Sequence, residues 1–270
     1  MASYDGNKVA RVKDLKNAAG QNKNLTDNLN NRTEILTYNN AVSHNSYGRT
    51  KNLGTAITAA QVAAIRDGTF ADLYPGDNWT LTIDGTGHNV IVLGFNIMRV
   101  AGEGNGARRN HAAVRLSAIT RQINTTATCA GHIMNSELYK TTFPAFLTKL
   151  EAVVGAGNIV PFTDHVADSI DDDGNVNHRT TVADCKLFMA SYMNITGNNR
   201  NMANMGWEVA GQIQLPYYRH NNGAYSGRTS ENMNATRWYS IINSERILSN
   251  YAPQTESYAA CAVYPIFLLG

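Results

Sequence analysis

The stretch from Thr58 to Met98 constrains the fold most, because start, stop and turn signals follow one another there without a gap. Thr58-Ala-Ala-Gln61 is a capping box, in which the threonine hydroxyl accepts from a backbone N–H three residues on and the glutamine reaches back. It predicts a short helix through Ile65, stopped by Gly68 after Asp67. Pro75-Gly76 predicts a turn. Residues 79–84 alternate apolar and polar as a half-buried strand does, Gly85-Thr86-Gly87 reverses the chain, and a second strand is expected from about Asn89 to Met98. A helix followed by an antiparallel hairpin is the frame to which the rest must be fitted.

Beyond the hairpin the signals thin out. A glycine loop (Gly102, Gly104, Gly106) leads through a mixed stretch to a short helix over 146–154 closed by Gly155. Strand-like runs follow at 159–162, 185–190, 238–243 and 262–269. Strands separated by short helices and long loops predict an α+β fold with a mixed, mainly antiparallel sheet, unlike the regular alternation of a parallel α/β chain. Upstream, Val9, Val12, Leu15 and Ala19 recur at helical spacing, and Leu25 and Leu29 continue among asparagines. A helix this short is marginal alone, so its apolar stripe is expected to dock, either on this chain or in an assembly. Residues 39–55 read as a polar linker. The expected organisation is an N-terminal helical and linker segment for attachment or oligomerisation over 1–54, followed by a display domain over 55–270.

Composition excludes several functions. At 270 residues and 29.5 kDa the chain suits one large domain or a domain plus an appendage. Only 16% of residues are charged, well below the usual quarter, and 32 asparagines supply the polarity instead. A net charge of +2 gives no footprint for nucleic acid. No apolar run is long enough to span a bilayer, and Met1-Ala2-Ser3-Tyr4-Asp5 does not resemble a secretory signal, so a soluble protein made in a cytoplasm is expected. Cys129, Cys185 and Cys261 are odd in number and widely spaced, which fits core thiols better than disulfides or zinc.

The chemical motifs fail one by one. Gly102-Glu-Gly-Asn-Gly-Ala107 matches a dinucleotide fingerprint in form, but no acid follows it before Glu137 to hold a ribose. Asp171-Asp172-Asp173-Gly174-Asn175 resembles the middle of a calcium loop, yet Thr180 stands where the closing glutamate belongs; the segment reads as a turn between strands. The seven histidines (His44, His88, His111, His132, His165, His178, His220) show no metal-binding spacing. Asp164, Asp168 and Asp171 read equally well as solvated loop groups or as an acid/base pair, and no nucleophile elbow occurs. Asn-x-Ser/Thr triplets at Asn24, Asn31, Asn78, Asn124, Asn194 and Asn234 arise by chance in so asparagine-rich a chain. Neither catalysis, nor a cofactor, nor a metal is expected.

The order of landmarks resembles a family of virion proteins encoded by phages and prophages of Gram-positive, largely gut-dwelling bacteria. The segment from Thr58 to Trp79 is similar to the family's opening helix and its "GTF-x-DL-x-x-GD-x-W" strand. Lys186-Leu-Phe-Met-Ala-Ser191 with Gly197 is similar to "KVFLLS…G", and Gln214-Leu-Pro-Tyr-Tyr218 to "Q-[LF]-P-[LY]-[FY]". Trp238-Tyr-Ser-Ile-Ile242 is similar to "WYWLR", and Val263-Tyr-Pro-Ile-Phe267 to "VRPAF". The last two also resemble the ending of C-type-lectin-like domains of the sulfatase-modifying-factor kind. Ile242 and Tyr264 stand where the family has arginines. The resemblance implies a C-type-lectin-like α+β domain whose last strand returns to the sheet core.

What it implies for function is a virion structural protein, assembled in the host cytoplasm, that acts as a receptor-binding or fibre-type adhesin. The alternative is a capsid decoration, head-fibre or neck protein. Its expected partners are other virion proteins, copies of itself in a trimer, and a host cell-surface glycan or protein. Composition places the binding surface near the C-terminus, where about one residue in five is asparagine from 194 to 250 and tyrosines are interleaved, much as in antibody paratopes. The candidate ligand-binding residues are Tyr217, Tyr218, Arg219, Asn221, Asn222, Tyr225, Arg228, Asn250 and Tyr251, on loops 219–228 and 249–257 expected to be exposed. Trp207, Trp238 and Tyr239 are expected in the core. Val9, Val12, Leu15, Leu25 and Leu29 are the candidate attachment residues. A sharper expectation is that the C-terminal loops are diversified between isolates.

Overall fold

A computed structural model describes residues 22, 40–101, 109–120, 134, 136–170, 176–190, 216–217, 227–228, 237–241, 248–253 and 262–270. Side chains are described for these except at 99, 164–170, 176–183, 227–228, 237–241 and 248–253. The architecture is α+β. Its centre is a curled antiparallel sheet built from β1 (Asn78–Ile83), β2 (Thr86–Phe95), β4 (Ala112–Leu116), β12 (Pro265–Leu269) and β5 (Ile159–Val160), in the order β1-β2-β4-β12-β5, with β8 (Phe188–Met189) also paired to β12. A second sheet joins β3 (Arg99–Val100), β6 (Phe162–Ile170) and β7 (Val176–Cys185). A third joins β9 (Gly227–Arg228), β10 (Arg237–Ile241) and β11 (Leu248–Pro253). The helices are α1 (Ala59–Arg66) and α2 (Phe143–Val154), the latter entered through a π-turn at Leu138–Thr142.

The local signals act as the sequence predicts at the start of the domain. Thr58 caps α1, with Gln61 N–H donating to Thr58 Oγ1 at 3.2 Å and Thr58 N–H donating to Gln61 Oε1 at 2.9 Å. The same Gln61 Oε1 accepts from Trp79 Nε1 at 3.1 Å, which ties the cap to the fully buried indole of β1. The hairpin turn is tighter than expected. Ile83 pairs with Thr86, and Asp84 and Gly85 take φ of +50° and +74°, the paired positive values of a two-residue hairpin turn. Strand β2 therefore starts at Thr86, not Asn89. It stops at Phe95 because Asn96 adopts φ +53° and leaves the ladder, its side chain accepting from His111 N–H.

A one-residue bulge sorts β2 between two cores. Val92 pairs with Val114 and Gly94 with Ala113, so Leu93 is the extra residue, and side-chain parity flips across it. Val90, Val92 and Phe95 face a first cluster with Trp79, Leu81, Val114 and Phe267, covered by Ile65 of α1 and Phe143, Leu150 and Val154 of α2. Leu93 joins a second cluster on the opposite face with Ala113, Ile266, Leu268, Val160 and Phe188, covered by Val100 and Phe162. The sheet is thus buried on both faces at β4 and β12, and every residue of β12 is buried.

Several expectations are corrected. The run over 159–162 is two strands, since Pro161 has no N–H to continue the ladder, and Phe162 begins β6 on the second sheet. Helix α2 begins three residues earlier than predicted, with Pro144 tolerated in its first turn. The segment 163–184 is a long hairpin whose ends, Ile170 and Val176, pair across 171–175; the turn residues themselves lie outside the described residues. Residues 227–228 and 248–253, expected in loops, are strands β9 and β11.

The polar segment before Thr55 is not a free linker. Residues 40–45 are helical, and the chain then runs along β1: Leu53 N–H donates to Asn78 O at 2.7 Å, Asn78 N–H to Lys51 O at 2.9 Å, and Thr80 N–H to Gly54 O at 2.9 Å. Asn45 binds both backbone groups of Phe95, accepting from its N–H and donating to its carbonyl, each at 2.8 Å. This strap covers the outer edge of β1 through Thr80, and edge strands are otherwise the exposed templates of a sheet.

Candidate binding surface

Three groups of residues carry polar chemistry on this scaffold. The first lies under the strap. Asp77 is fully buried, yet its carboxylate accepts from Arg49 Nη2 at 2.6 Å, Arg49 Nε at 2.9 Å, Lys51 N–H at 3.0 Å and Tyr74 N–H at 2.9 Å. Arg49 also binds Asp72 through Nη1 at 2.7 Å, and Lys51 binds the other Asp72 oxygen. Asp72 is 62% exposed, and the hydrogen bonds from Lys51 and then Arg49 hold its carboxyl down to about 2. The Asp77 hydrogen bond raises Arg49 above its already high value. Every lone-pair direction of Asp77 is used inside the fold, so the node is structural chemistry and not a catalytic acid.

The second group stands on the second face of the sheet. Arg115 on β4 sits opposite both Ile91 of β2 and Ile266 of β12, and its guanidinium lies 5.1 Å from the Tyr264 ring centroid and 5.6 Å from that of Tyr217. Pro216, beside Tyr217, packs on the bulge, where a Cβ added at Gly94 would come within 2.7 Å of its ring. An arginine held between two tyrosines thus fixes Pro216-Tyr217 onto the sheet. Sequence reasoning singled out Tyr217 and Tyr264 but missed Arg115; the available signal was a lone charge inside the otherwise apolar run 112–116.

The third group is the sheet β9-β10-β11. Ser240 pairs with Arg228 on one side and with Asn250 on the other, and Tyr239 pairs with Tyr251. Three candidate residues, Arg228, Asn250 and Tyr251, are therefore brought to neighbouring register positions around β10, although Arg228 lies 22 residues before Asn250 in sequence. Tyr217 sits elsewhere, on the central sheet. Tyr218, Arg219, Asn221, Asn222 and Tyr225, the attachment residues Val9, Val12, Leu15, Leu25 and Leu29, and Trp207, Cys129 and Cys261 lie outside the described residues. Cys185 is half-buried against the second cluster.

The histidines with described side chains are committed to the fold. His111 is buried, with Nδ1 donating to Arg109 O at 3.0 Å and Nε2 accepting from Met98 N–H at 3.1 Å, which requires the neutral ring. His88 is buried beside Ser117 Oγ and Phe146, and burial lowers its pKa below 6.5. His44 stacks on Tyr74. Among the described residues no three His, Cys, Asp or Glu side chains converge as metal ligands, and no helix is long and apolar enough to cross a membrane. Comparison of the chain with protein-family models, with curated proteins and with solved structures finds no match in any of the three.

Proposed function

We propose that this chain is a phage virion protein of the receptor-binding or fibre type, a non-enzymatic adhesin whose domain over the central sheet is C-type-lectin-like. The observation that carries the reading is the pairing of Pro265 with Met189. The span between them, residues 190–264, is an excursion in sequence between two paired strands; within it Pro216, Tyr217 and Val263 pack on the central sheet, and β9, β10 and β11 pair among themselves. The base is closed by β12, which is wholly buried and holds β4, β5 and β8 together. That excursion contains the asparagine-rich stretch, all nine candidate ligand residues and the sheet β9-β10-β11. A long polar and tyrosine-rich span mounted on a buried hydrophobic sheet is how binding loops are displayed. The return of the final strand to the sheet centre also supports the lectin-like reading implied by Val263-Tyr-Pro-Ile-Phe267.

The test is adsorption. The purified chain should bind the host cells of its phage and compete with particles for them, and Arg228→Ala, Asn250→Ala and Tyr251→Ala should weaken that binding while leaving the melting temperature within about 3 °C. Absence of cell binding, together with regular labelling over the capsid, would replace this reading by the decoration or head-fibre one. Release of sugar or peptide from host walls by the pure protein would contradict the non-enzymatic assignment.

A further inference from the structure

Tyr47 lies outside the excursion. Among aromatic residues whose side chains are described, it alone is exposed, at 60%. It is also rigidly mounted. Ser46 N–H donates to Val42 O at 3.1 Å, Tyr47 N–H to His44 O at 3.4 Å, and Arg49 N–H to Pro75 O at 2.8 Å, so the backbone is fixed on both sides of the ring. The ring meets Tyr74 edge to face, with centroids 5.6 Å apart at 83°. Tyr74 is itself held by His44, stacked at 4.7 Å, and by the Arg49 guanidinium, 4.6 Å from its centroid. Contacts continue from Arg49 to Asp72 and from Asp72 to Lys51, whose side chains are 62% and 47% exposed.

The charges of this patch cancel. Arg49 and Lys51 balance Asp72 and Asp77, so neither a phosphate polymer nor a polycation finds a net opposite field. What remains on offer is an exposed, immobilised aromatic ring, joined through Tyr74 and Arg49 to fixed acceptors and donors. A pyranose ring has the complementary form. One face carries C–H bonds that suit the negative face of an aromatic ring, and its rim carries hydroxyls able to donate to a carboxylate and accept from an ammonium. The groups are already ordered by the fold, which removes much of the entropy cost of binding.

We propose that Tyr47, on the patch that runs through Tyr74 and Arg49 to Asp72 and Lys51, forms a shallow site for neutral hexopyranose units of a glycan, separate from the excursion and resting on the strap's own geometry. The test is a titration of the ¹⁵N-labelled full-length protein with methyl glucoside, galactose and N-acetylglucosamine, with glycerol 3-phosphate and sialic acid as charged controls at matched ionic strength. At least one neutral sugar should shift the amides of Tyr47, Arg49 and Lys51 saturably, with Kd of about 1–10 mM. Tyr47→Phe should retain that affinity, Tyr47→Ala should weaken it about tenfold, and Asp72→Asn about threefold. No saturable shift up to about 50 mM of any neutral sugar, tighter binding of a charged control, or unchanged affinity in Tyr47→Ala overturns the proposal. The adhesin reading is judged separately by cell adsorption, so either can fail without the other.

Discussion

Replacing Arg49 by methionine isolates the bond that fastens the strap to the domain. The substitution keeps an unbranched side chain for the Tyr74 face but leaves the Asp77 carboxylate, fully buried, with only the backbone N–H groups of Lys51 and Tyr74 as donors. Removing one partner of a buried pair costs about 3–5 kcal/mol because the other charge stays desolvated. Arg49 is 26% exposed, which places the expected loss near the lower end, about 3 kcal/mol. At about 2–4 °C per kcal/mol for a protein of this size, the melting temperature should fall by about 6–12 °C. Adding Asp77→Asn to Arg49→Met removes the stranded charge while keeping an oxygen for one N–H, so the double variant should be more stable than the sum of the two single losses. Thermal and urea unfolding of the four proteins measure this coupling directly. A fall under about 2 °C for Arg49→Met, or additive losses in the double variant, would show that Asp77 is not a buried charge neutralised by Arg49.

Burial holds His88 neutral, with its folded pKa below the ordinary 6.5. As pH falls below 6.5 the unfolded chain takes up this proton first, so the His88 contribution to stability should decline from there toward the lower folded pKa; melts of wild type and His88→Leu between pH 7.5 and 5 should show a steeper decline for wild type, and parallel curves would refute the assignment. A Cβ at Gly76 would lie 2.1 Å from the Arg49 carbonyl oxygen, whereas one at Gly85 meets nothing within 4 Å, and both residues have positive φ. Gly76→Ala should therefore cost about 3 kcal/mol or more and Gly85→Ala about 1 kcal/mol in urea unfolding; equal losses would mean that the strap does not approach the turn as closely as described. Arg115→Leu removes both tyrosine contacts and should destabilise by about 1–2 kcal/mol, a loss that Arg115→Lys recovers in part; no change in unfolding midpoint would remove Arg115 as the anchor of Tyr217.

What was legible in the sequence depended on how many faces an element buries. Strand β1 buries one face, so Trp79, Leu81 and Ile83 alternate with Thr80 and Thr82 and announce it. Strand β4 buries both, so 112–116 shows no period, and its single arginine looks out of place until Tyr217 and Tyr264 are seen around it. The hairpin β6-β7 carries Asp164, His165, Asp168 and Ser169, residues that argue for a loop, and only the turn at 171–175 hinted at it. The strap was misread for a different reason. Asn40, Asn45, Arg49 and Lys51 make their bonds to residues 21 to 50 positions away, through side-chain amides and charges that leave no local pattern. For the candidate surface, composition selected residues that the fold gathers only in part: Arg228, Asn250 and Tyr251 around β10, and Tyr217 on the central sheet.

The central claim, that the sheet around β12 presents the 190–264 excursion to a host surface, is tested most directly by a reconstruction of the purified particle at residue resolution. The account predicts copies of this chain at a tail tip or fibre, with the central sheet as the fixed body and Arg228, Asn250 and Tyr251 directed away from the particle. Copies seated in a regular array on the capsid with those three residues packed against it, or particles that contain no copy at all, would contradict it.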